Sequence, residues 1–313
     1  MSHMLFSVVI PSYKGRYLGE AIDSVIAQTC GDWELIVVND CSPEDLGGVV
    51  GPRLSDSRIR YFVNERNLGA EHLCENWNGC LKFCSGDYVI CMGDDDRLLP
   101  CCLDEYRRLI ERYPQVDVLH GQTVIIDECG DVCELLEPRR EHESALELIY
   151  YRWAGMGRQQ FVGDFCYKRV PLMERGGFFV LPFAWGSDDI SAVMAATPCG
   201  IANTERVCFE YRKNRFSISS DGHFRGKADA LLLQWEWFES YLGGYVSGTR
   251  QELVTIGLLK VMMPRHFRLH INDMIRKDLR VCRCNVLFWL RNRRRYGVTV
   301  REVLIQFVKS FKV

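Results

Sequence analysis

Short apolar runs alternate with helix-like stripes over residues 6 to about 119. Apolar residues recur at helical spacing over residues 18–26 and again over residues 73–84, which predicts two amphipathic helices. Weaker helical signals lie near Leu46 and from about Pro100 onwards. The expected strands lie between these helices and are listed here: residues 7–10, 33–38, 59–63, 88–92 and 116–119.

This alternation of strands and helices predicts an α/β fold, Rossmann-like, with right-handed crossovers, a mostly parallel sheet and helices on both faces. In sheets of this kind, ligands bind at the carboxyl ends of the strands. We therefore take the polar residues that directly follow a strand as the candidates for chemistry.

The second half of the chain is less regular. A loop-rich section over residues 155–189 precedes a short helix, a strand is expected at residues 206–211, and a helical tail begins near residue 226. We divide the chain into a first domain, residues 4–220, and a helical, basic C-terminal region, residues 221–313. No apolar run is long enough to span a bilayer.

The charge balance differs between the two ends of the chain. Residues 251–313 carry fourteen Lys and Arg against four acidic side chains, whereas residues 1–250 carry 25 against 37. An apolar stripe between Val298 and Phe311, with cations at both ends, is typical of helices that bind anionic membrane surfaces. The same stripe would also suit packing on the first domain or on a second subunit, as in a homodimer. Nucleic acid is not expected as a partner, because the acidic half would repel a phosphate backbone.

Fifteen cysteines are scattered along the chain without any CxxC pair, and no secretory signal precedes them. We interpret them as small core hydrophobes in a reducing, cytoplasmic environment. The opening residues 1–4 look like a cloning remnant, so we begin the native protein at Met4.

Three aspartates, Asp94, Asp95 and Asp96, directly follow the fourth expected strand. Adjacent carboxylates repel one another unless a cation lies among them, and Mg²⁺ or Mn²⁺ takes one or two protein carboxylates together with substrate phosphates. The alternative is a solvated acidic turn that caps the next helix.

Two further groups follow the second and first strands. Asp40 can accept a hydrogen bond from a base or a ribose hydroxyl, although an Asx turn leaving the strand would have the same sequence. Pro11 and Tyr13 place an aromatic ring at the end of the first strand, where it can pack on a base or simply form part of a loop.

Several segments occur in a fixed order along the chain. They are Val9-Ile-Pro11-Ser-Tyr13, Gln28-Thr29, Trp33-Glu-Leu-Ile-Val-Val-Asn-Asp40-Cys-Ser42, Asn67-Leu-Gly69, Gly86-Asp-Tyr88 and Gly93-Asp-Asp95-Asp-Arg-Leu-Leu-Pro100. Each motif is weak alone, but the ordered set closely resembles the inverting family 2 glycosyltransferases of GT-A fold. The resemblance is dense over residues 6–118 and looser over residues 160–220.

The resemblance implies roles for individual residues. It implies that Asp40 reads the base, that Asp94 lies near the ribose, and that Asp95 binds the metal bridging the donor diphosphate. Pro11 and Tyr13 complete the implied nucleotide site. Gly93 departs from the commonest form of the motif, in which an aspartate is frequent at that position.

The implied reaction is sugar transfer, with inversion, from a nucleotide-sugar donor to a hydroxyl of a glycan or lipid-linked glycan. The resemblance also implies Mn²⁺ or Mg²⁺ as cofactor and a setting in bacterial capsule, exopolysaccharide or O-antigen synthesis, peripheral to the inner face of the membrane. Family members place the base in an acidic pair at the start of a helix, which here is Asp188 and Asp189. Both stay candidates, with Asp189 preferred, and both could instead merely complement a helix dipole.

The segment from Tyr211 to Ser219 looks like the Tyr-Arg-x-His-x-x-Ser segment of many relatives, with Asn214 in place of the histidine. Arg212, Lys213 and Arg215 could hold a diphosphate by charge, or could be loop cations without a function.

Two other functions stay open. A sugar-phosphate nucleotidyltransferase would share the sheet and the metal, but it would need a Gly-rich, basic loop after the first strand, and residues 12–16 resemble one poorly. A protein of the same fold without catalysis would bind nucleotide without turnover. A P-loop and a GxGxxG motif after the first strand are both absent from the sequence.

Overall fold

A computed structural model describes residues 6–155, 158–215 and 222–311 of the chain. The strands are β1 (Phe6–Ser12), β2 (Trp33–Asn39), β3 (Ile59–Val63), β4 (Tyr88–Cys91), β5 (Arg97–Leu98), β6 (Val118–Ile126), β7 (Val132–Leu135), β8 (His142–Glu143), β9 (Phe165–Lys168) and β10 (Ile201–Arg212). The helices are α1 (Leu18–Ile26), α2 (Leu46–Val50), α3 (Leu73–Leu81), α4 (Cys102–Arg112), α5 (Ala145–Trp153), α6 (Arg169–Glu174), α7 (Ser187–Ala196), α8 (Phe224–Gly244), α9 (Arg250–Val281), α10 (Val286–Asn292) and α11 (Val300–Lys309).

The strands form one sheet in the order β3-β2-β1-β4-β9-β6-β10-β5, with β7 beside β6 and β8 beside β10. Strand β1 runs parallel to β2 and β4, β2 runs parallel to β3, and β6 runs parallel to β10. The predicted α/β fold with a mostly parallel sheet is confirmed. Strand β9 was not predicted, and it runs antiparallel between β4 and β6.

Helices cover both faces of the sheet. On β2 every residue is buried, because one face meets α1 and the other faces α3. The stripe of α1 buries its apolar positions as expected, namely Leu18, Ala21, Ile22 and Val25. The carboxyl ends of β1, β2 and β4 consequently lie at one edge of the sheet, where polar side chains can meet.

Some boundaries differ from the sequence prediction. The helix expected from Pro100 begins at Cys102. Strand β6 continues to Ile126 rather than ending near residue 119. Polar residues continue this strand because their groups find partners inside the protein: Gln122 donates to the carbonyl of Leu136 at 2.5 Å.

The cysteines are all free, and eight of them are buried. Burial raises the pKa of the Cys91 and Cys166 thiols, so these two residues behave as small apolar groups. The expectation of core cysteines fails for five residues, which are exposed. They are Cys41, Cys129, Cys133, Cys282 and Cys284.

The C-terminal helices pack on the α/β part of the chain. Trp153 of α5 lies 5.0 Å from Phe238 of α8 and 6.2 Å from Phe267 of α9, measured between ring centroids. The domain boundary expected between residues 220 and 221 falls outside the described residues, as do Ser217 and Ser219. Within the described ranges, no helix has the length and apolar character needed to cross a membrane.

Candidate active site

The ends of β1 and β4 are joined by a carboxylate. Oδ2 of Asp94 accepts hydrogen bonds from the backbone N–H groups of Tyr13 at 2.8 Å and of Lys14 at 2.9 Å. The side chain of Tyr13 is exposed at this edge, so its ring is accessible to a ligand. The segment after β1 and the loop after β4 therefore form one surface, as the parallel register of the two strands predicts.

Asp40 lies directly after β2 and is buried. Its carboxylate accepts hydrogen bonds from the side-chain amide of Asn64 at 2.8 Å and from the backbone N–H groups of Leu68 and Gly69 at 3.1–3.3 Å. Its own N–H donates to the carbonyl of Ser12 at 2.8 Å, which joins β1 to β2. Asp40 is thus fixed beside the Tyr13 segment by the loop after β3.

The loop after β4, residues 93–96, brings three carboxyl groups together, and we call it the aspartate loop. Burial, with a further contribution from the charge of Asp95, raises the pKa of Asp94 to about 6. Burial also raises the pKa of Asp95, and the hydrogen bond that Asn214 donates at 2.7 Å partly offsets this effect. Burial and the charge of Asp95 raise the pKa of Asp96 well above its usual value. Negative charge in this loop is costly without a compensating cation.

Gly93 explains how the carboxylates come so close. A Cβ atom at this position would lie 2.8 Å from Oδ2 of Asp96 and 2.9 Å from Oδ1 of Asp95. Glycine at this position therefore leaves room for the carboxyl groups of Asp95 and Asp96 where they are observed.

The donor set around Asp95 fits a hard divalent cation. The described residues contain no group of three or more His, Cys, Asp or Glu arranged to hold a metal by themselves. Mg²⁺ and Mn²⁺ are commonly held by one or two carboxylates and completed by substrate phosphates and water. The crowded carboxylates of raised pKa and the amide of Asn214 fit a site of that kind rather than a closed structural site.

Arg212 differs from the other candidate cations because its side chain is buried. Its side chain is 1% exposed, and its guanidinium donates to the carboxylate of Glu20 at 2.6 Å and to the carbonyl of Asp95 at 2.9 Å. It also reaches the carbonyls of Asp127 and Glu128. Because Glu20 and the loop carbonyls occupy its guanidinium, Arg212 supports the backbone of the aspartate loop. The expectation that Arg212 contacts a diphosphate is corrected accordingly.

Lys213 and Arg215 differ from Arg212. Both are exposed beside Asn214, and Nε of Arg215 lies 3.7 Å from the carboxylate of Glu128. Their side chains lie at the end of β10, next to the aspartate loop, so both remain candidate contacts to a diphosphate.

The acid pair lies in the first turn of α7. Oδ1 of Asp189 accepts hydrogen bonds from Nε of Arg152 at 3.0 Å and from the side-chain amide of Gln160 at 2.5 Å. Burial and the neighbouring charge of Asp189 raise the pKa of Asp188 well above its usual value. The two carboxyl groups therefore differ: Asp189 is held as an ion pair, whereas Asp188 is favoured in its protonated form.

The segment of residues 160–164 contacts the acid pair at one end and the end of β4 at the other. Gln160 donates to Asp189. Asp164 is fully buried, and burial raises its pKa to about 8. The adjacent Gly163 lies against the end of β4, where an added Cβ would be 3.4 Å from Cα of Met92.

Comparison with known proteins identifies the family of the α/β part of the chain. Residues 7–156 match the family model described as Glycosyl transferase family 2. This part of the chain is a family 2 glycosyltransferase domain. The match confirms the predicted family.

Two curated relatives illustrate the family match. The Escherichia coli UDP-Glc:alpha-D-GlcNAc-diphosphoundecaprenol beta-1,3-glucosyltransferase WfgD is 26% identical over 240 residues, which cover 75% of this chain and 86% of that protein. The uncharacterized glycosyltransferase MJ1057 of Methanocaldococcus jannaschii is 27% identical over 158 residues, 49% of this chain and 53% of that protein. The match with this second relative therefore spans about half of its length.

Solved structures show the same fold. Staphylococcus aureus TarS 1–349 in complex with UDP-GlcNAc superposes with a TM-score of 0.59 at 15% identity, covering 97% of this chain and 89% of that one. The mannosyltransferase PcManGT of Pyrobaculum calidifontis, in complex with GDP-Man and Mn²⁺, gives 0.54 at 15% identity, with coverage of 100% and 88%. The GT-A fold predicted for this family 2 member is confirmed.

Several residues of the site were missed by the sequence reasoning. Arg152 and Gln160 contact Asp189 from α5 and from the irregular segment after it, and Asp164 lies just before β9. No motif or period marks these positions, since their role comes from a tertiary arrangement. Asn64 also holds Asp40, and only the nearby Asn67-Leu-Gly69 segment pointed to that loop.

Proposed function

We propose that this family 2 member is an inverting glycosyltransferase that moves a sugar from a nucleoside-diphosphate sugar to a hydroxyl of a glycan or lipid-linked glycan. The observation that carries the proposal is that one segment, residues 160–164, contacts two groups of carboxylates. Gln160 donates to Asp189 of the acid pair of α7, and Gly163 lies against Met92, which directly precedes the aspartate loop at the sheet edge. Sugar transfer with inversion requires one group that holds the donor diphosphate and one that takes the proton of the acceptor hydroxyl, on opposite sides of the sugar.

For the donor, we assign binding of the nucleobase to Asp40 and to the surface formed by Pro11 and Tyr13. Asp94 would lie near the ribose, because it already joins β1 to the loop after β4. Lys213 and Arg215 would contact the diphosphate by charge. The joined ends of β1, β2 and β4 support a single continuous nucleotide site.

For the metal, we assign Asp95 as the carboxylate ligand, with Asn214 beside it. When bound, Mn²⁺ or Mg²⁺ supplies charge neutralisation for the leaving diphosphate. Arg212 fixes the backbone of the loop that presents Asp95, through its bond to the carbonyl of that residue. The complex of PcManGT with GDP-Man and Mn²⁺ supports the choice of ion.

For the base, we assign Asp189. Arg152 and Gln160 hold its carboxylate in place, and both of its described hydrogen bonds end on Oδ1. In the transfer step the acceptor oxygen forms a bond to the anomeric carbon while its proton passes to Asp189. The bond from that carbon to the diphosphate oxygen breaks, and its electron pair leaves with the nucleoside diphosphate. Asp188, whose raised pKa favours protonation, is the alternative.

The acceptor and the location belong to the same proposal. The name of WfgD includes a diphosphoundecaprenol-linked sugar, which supports a lipid-linked acceptor and a role in bacterial capsule, exopolysaccharide or O-antigen synthesis. Helix α11 buries Val303 but leaves Leu304 and Val308 exposed, with Arg301 and Lys309 on the same helix. We propose that this surface holds the enzyme on the anionic cytoplasmic face of the membrane.

The test is a thermal-unfolding panel of nucleoside diphosphates and nucleotide sugars, each with and without Mn²⁺, followed by a transfer assay with the donor found. A ligand at one hundred times its dissociation constant stabilises the folded state by about 2.7 kcal/mol, which gives a clear shift. We expect the nucleotides of one nucleobase to raise the unfolding temperature, and to do so only when Mn²⁺ is present. We also expect the Asp189→Asn variant to keep that shift while losing transfer.

Three results would overturn the proposal or one of its assignments. No shift with any nucleotide or sugar nucleotide would indicate a protein of this fold that does not bind a donor. A shift without sugar transfer, accompanied by exchange of pyrophosphate into the donor, would indicate a nucleotidyltransferase instead. Full transfer by the Asp188→Asn/Asp189→Asn double variant would remove the acid pair from the mechanism.

A further inference from the structure

The turn that leads into the acid pair has an unusual backbone. Phe183 and Ala184 both have positive φ angles, 59° and 50°, and Gly186 follows with a φ of 83°. Two successive non-glycine residues in this region are uncommon and persist only when their surroundings hold them. Such a turn needs an external support to keep one conformation.

The support comes from α8, in the C-terminal region. The side-chain amide of Gln234 donates to the carbonyl of Trp185 at 2.8 Å, and Gln234 is buried. A Cβ at Gly186 would lie 2.4 Å from the amide group of Gln234, so only glycine fits against it. The amide group of Gln234 therefore lies directly against the backbone of the turn.

A second contact holds the other end of the turn. The ring of Phe183 lies against Gly226, where an added Cβ would come within 2.1 Å of it, and stacks on His223 at 4.7 Å. Between these contacts, the buried ammonium group of Lys227 lies 5.0 Å from the ring of Trp185. Helix α8 thus contacts the turn at three successive points.

The turn determines where the acid pair lies. Gly186 directly precedes α7, and no side chain caps this helix start by a hydrogen bond. Asp188 and Asp189 follow within one turn, so a rotation of the backbone at Trp185 or Gly186 would displace both carboxyl groups. The ion pair of Asp189 with Arg152 depends on the same backbone position.

We propose that Gln234 of α8 is a positioning residue for the carboxylate base, acting through the left-handed turn over residues 183–186. This inference rests on the proposed function, because it takes the acid pair as the source of the base. It makes the helical C-terminal region part of the catalytic arrangement rather than an attachment to it.

The experiment replaces Gln234→Met, which keeps the length of the side chain but removes the hydrogen-bond donor. We expect kcat to fall about 10- to 100-fold, since small displacements of a catalytic group have effects of this size. The KM for the sugar nucleotide and its Mn²⁺-dependent thermal shift should be unchanged, because the aspartate loop is untouched. The Gln234→Lys variant is measured beside it, because its side chain is one atom longer but still carries an N–H donor and should restore part of the rate.

The matched control is Gln122→Met. Gln122 is also a buried glutamine that donates to a backbone carbonyl, that of Leu136, but it lies in β6 outside the acid pair. Its kcat should stay within twofold of the wild type even if both variants unfold at a lower temperature. Should Gln234→Met fail to fold, Gly226→Ala provides a second route, because its methyl group would displace the ring of Phe183.

The outcomes separate this inference from the proposed function. Loss of transfer in Asp189→Asn with unchanged kcat in Gln234→Met would overturn the inference alone. Unchanged transfer in Asp189→Asn would overturn the assignment of the base and the inference with it. A rise in donor KM in Gln234→Met equal to its loss of kcat would show a general structural role and also overturn the inference.

Discussion

Asn214 donates its side-chain amide to Oδ2 of Asp95 across 2.7 Å, joining the end of β10 to the loop after β4. The same amide carries a neutral oxygen, Oδ1, which is a ligand type that Mg²⁺ and Mn²⁺ accept. Asn214 stands where the resemblance places a histidine. The position beside the proposed metal ligand is therefore kept, with an amide in place of the imidazole.

We expect Asn214→Leu to weaken the binding of the metal ion without abolishing it. The hydrogen bond orients Asp95 and favours its ionised form, so we expect the half-saturating Mn²⁺ concentration to rise about tenfold. A Mn²⁺ titration of the donor-induced thermal shift measures this, and Asp95→Ala should abolish the metal-dependent part. Asn292→Leu on α10 is the control, since its amide bonds only the carbonyl of Phe288 among the described contacts. Identical titrations for the two leucine variants would contradict the assignment.

The raised pKa of Asp164 predicts that the free energy of unfolding depends on pH. Its folded pKa is about 8 against an ordinary 3.8, so between these values the folded state binds more protons than the unfolded state. The free energy of unfolding should therefore fall as pH rises, and Asp164→Asn should reduce this slope by up to about 1.4 kcal/mol per pH unit. Urea unfolding between pH 5 and 8 measures the slope, with exposed Asp131→Asn as control. Parallel slopes for wild type and Asp164→Asn would show that Asp164 ionises normally in the folded protein.

Gln160→Leu should alter the base without affecting the donor. The amide of Gln160 donates to Oδ1 of Asp189 at 2.5 Å, so its loss removes one of the two described side-chain contacts that position this carboxylate. We expect kcat to fall several-fold, while the KM for the sugar nucleotide and its Mn²⁺-dependent thermal shift stay unchanged. Gln159→Leu, at the exposed neighbouring position, should leave kcat unchanged. An unchanged kcat in Gln160→Leu would show that Gln160 does not position the base.

The exposed side of α11 should bind anionic lipid. Leu304→Gln/Val308→Gln replaces two residues that are 47% and 63% exposed, so the fold should be unaffected. We expect its sedimentation with vesicles containing about one third phosphatidylglycerol to fall several-fold, because apolar burial and cationic attraction act together. The control is Val132→Gln/Leu135→Gln, two similarly exposed apolar residues on β7. An unchanged vesicle binding, with loss of a dimer in analytical ultracentrifugation, would identify the surface as a subunit contact.

The sequence was sufficient wherever a strand end places a residue by local pattern. Asp40, Asp94 and Asp95 directly follow β2 and β4, and parallel pairing brings those ends to one edge. It was insufficient where a role depends on which partner a side chain finds. In the sequence, Arg212 is typical of a loop cation. In the structure it is buried and donates to Glu20, which lies 192 residues away in the sequence.

The antiparallel strand β9 shows the same limit. Its four residues, FCYK, carry no alternation that distinguishes a strand from a buried loop. Strand β9 lies between β4 and β6, in the gap between the parallel group β3-β2-β1-β4 and the parallel pair β6-β10. Its own composition does not indicate this position. Asp164, which precedes it, could not be assigned a role before that gap was known.

A single apolar cluster runs from Val9 of β1 through Trp153 of α5 and Leu259 of α9 to Val303 of α11. Cutting the chain near residue 220 would therefore leave two fragments, each with a wide apolar face in water. Exchanging the C-terminal helices between relatives would mismatch that face even when both sheets are intact.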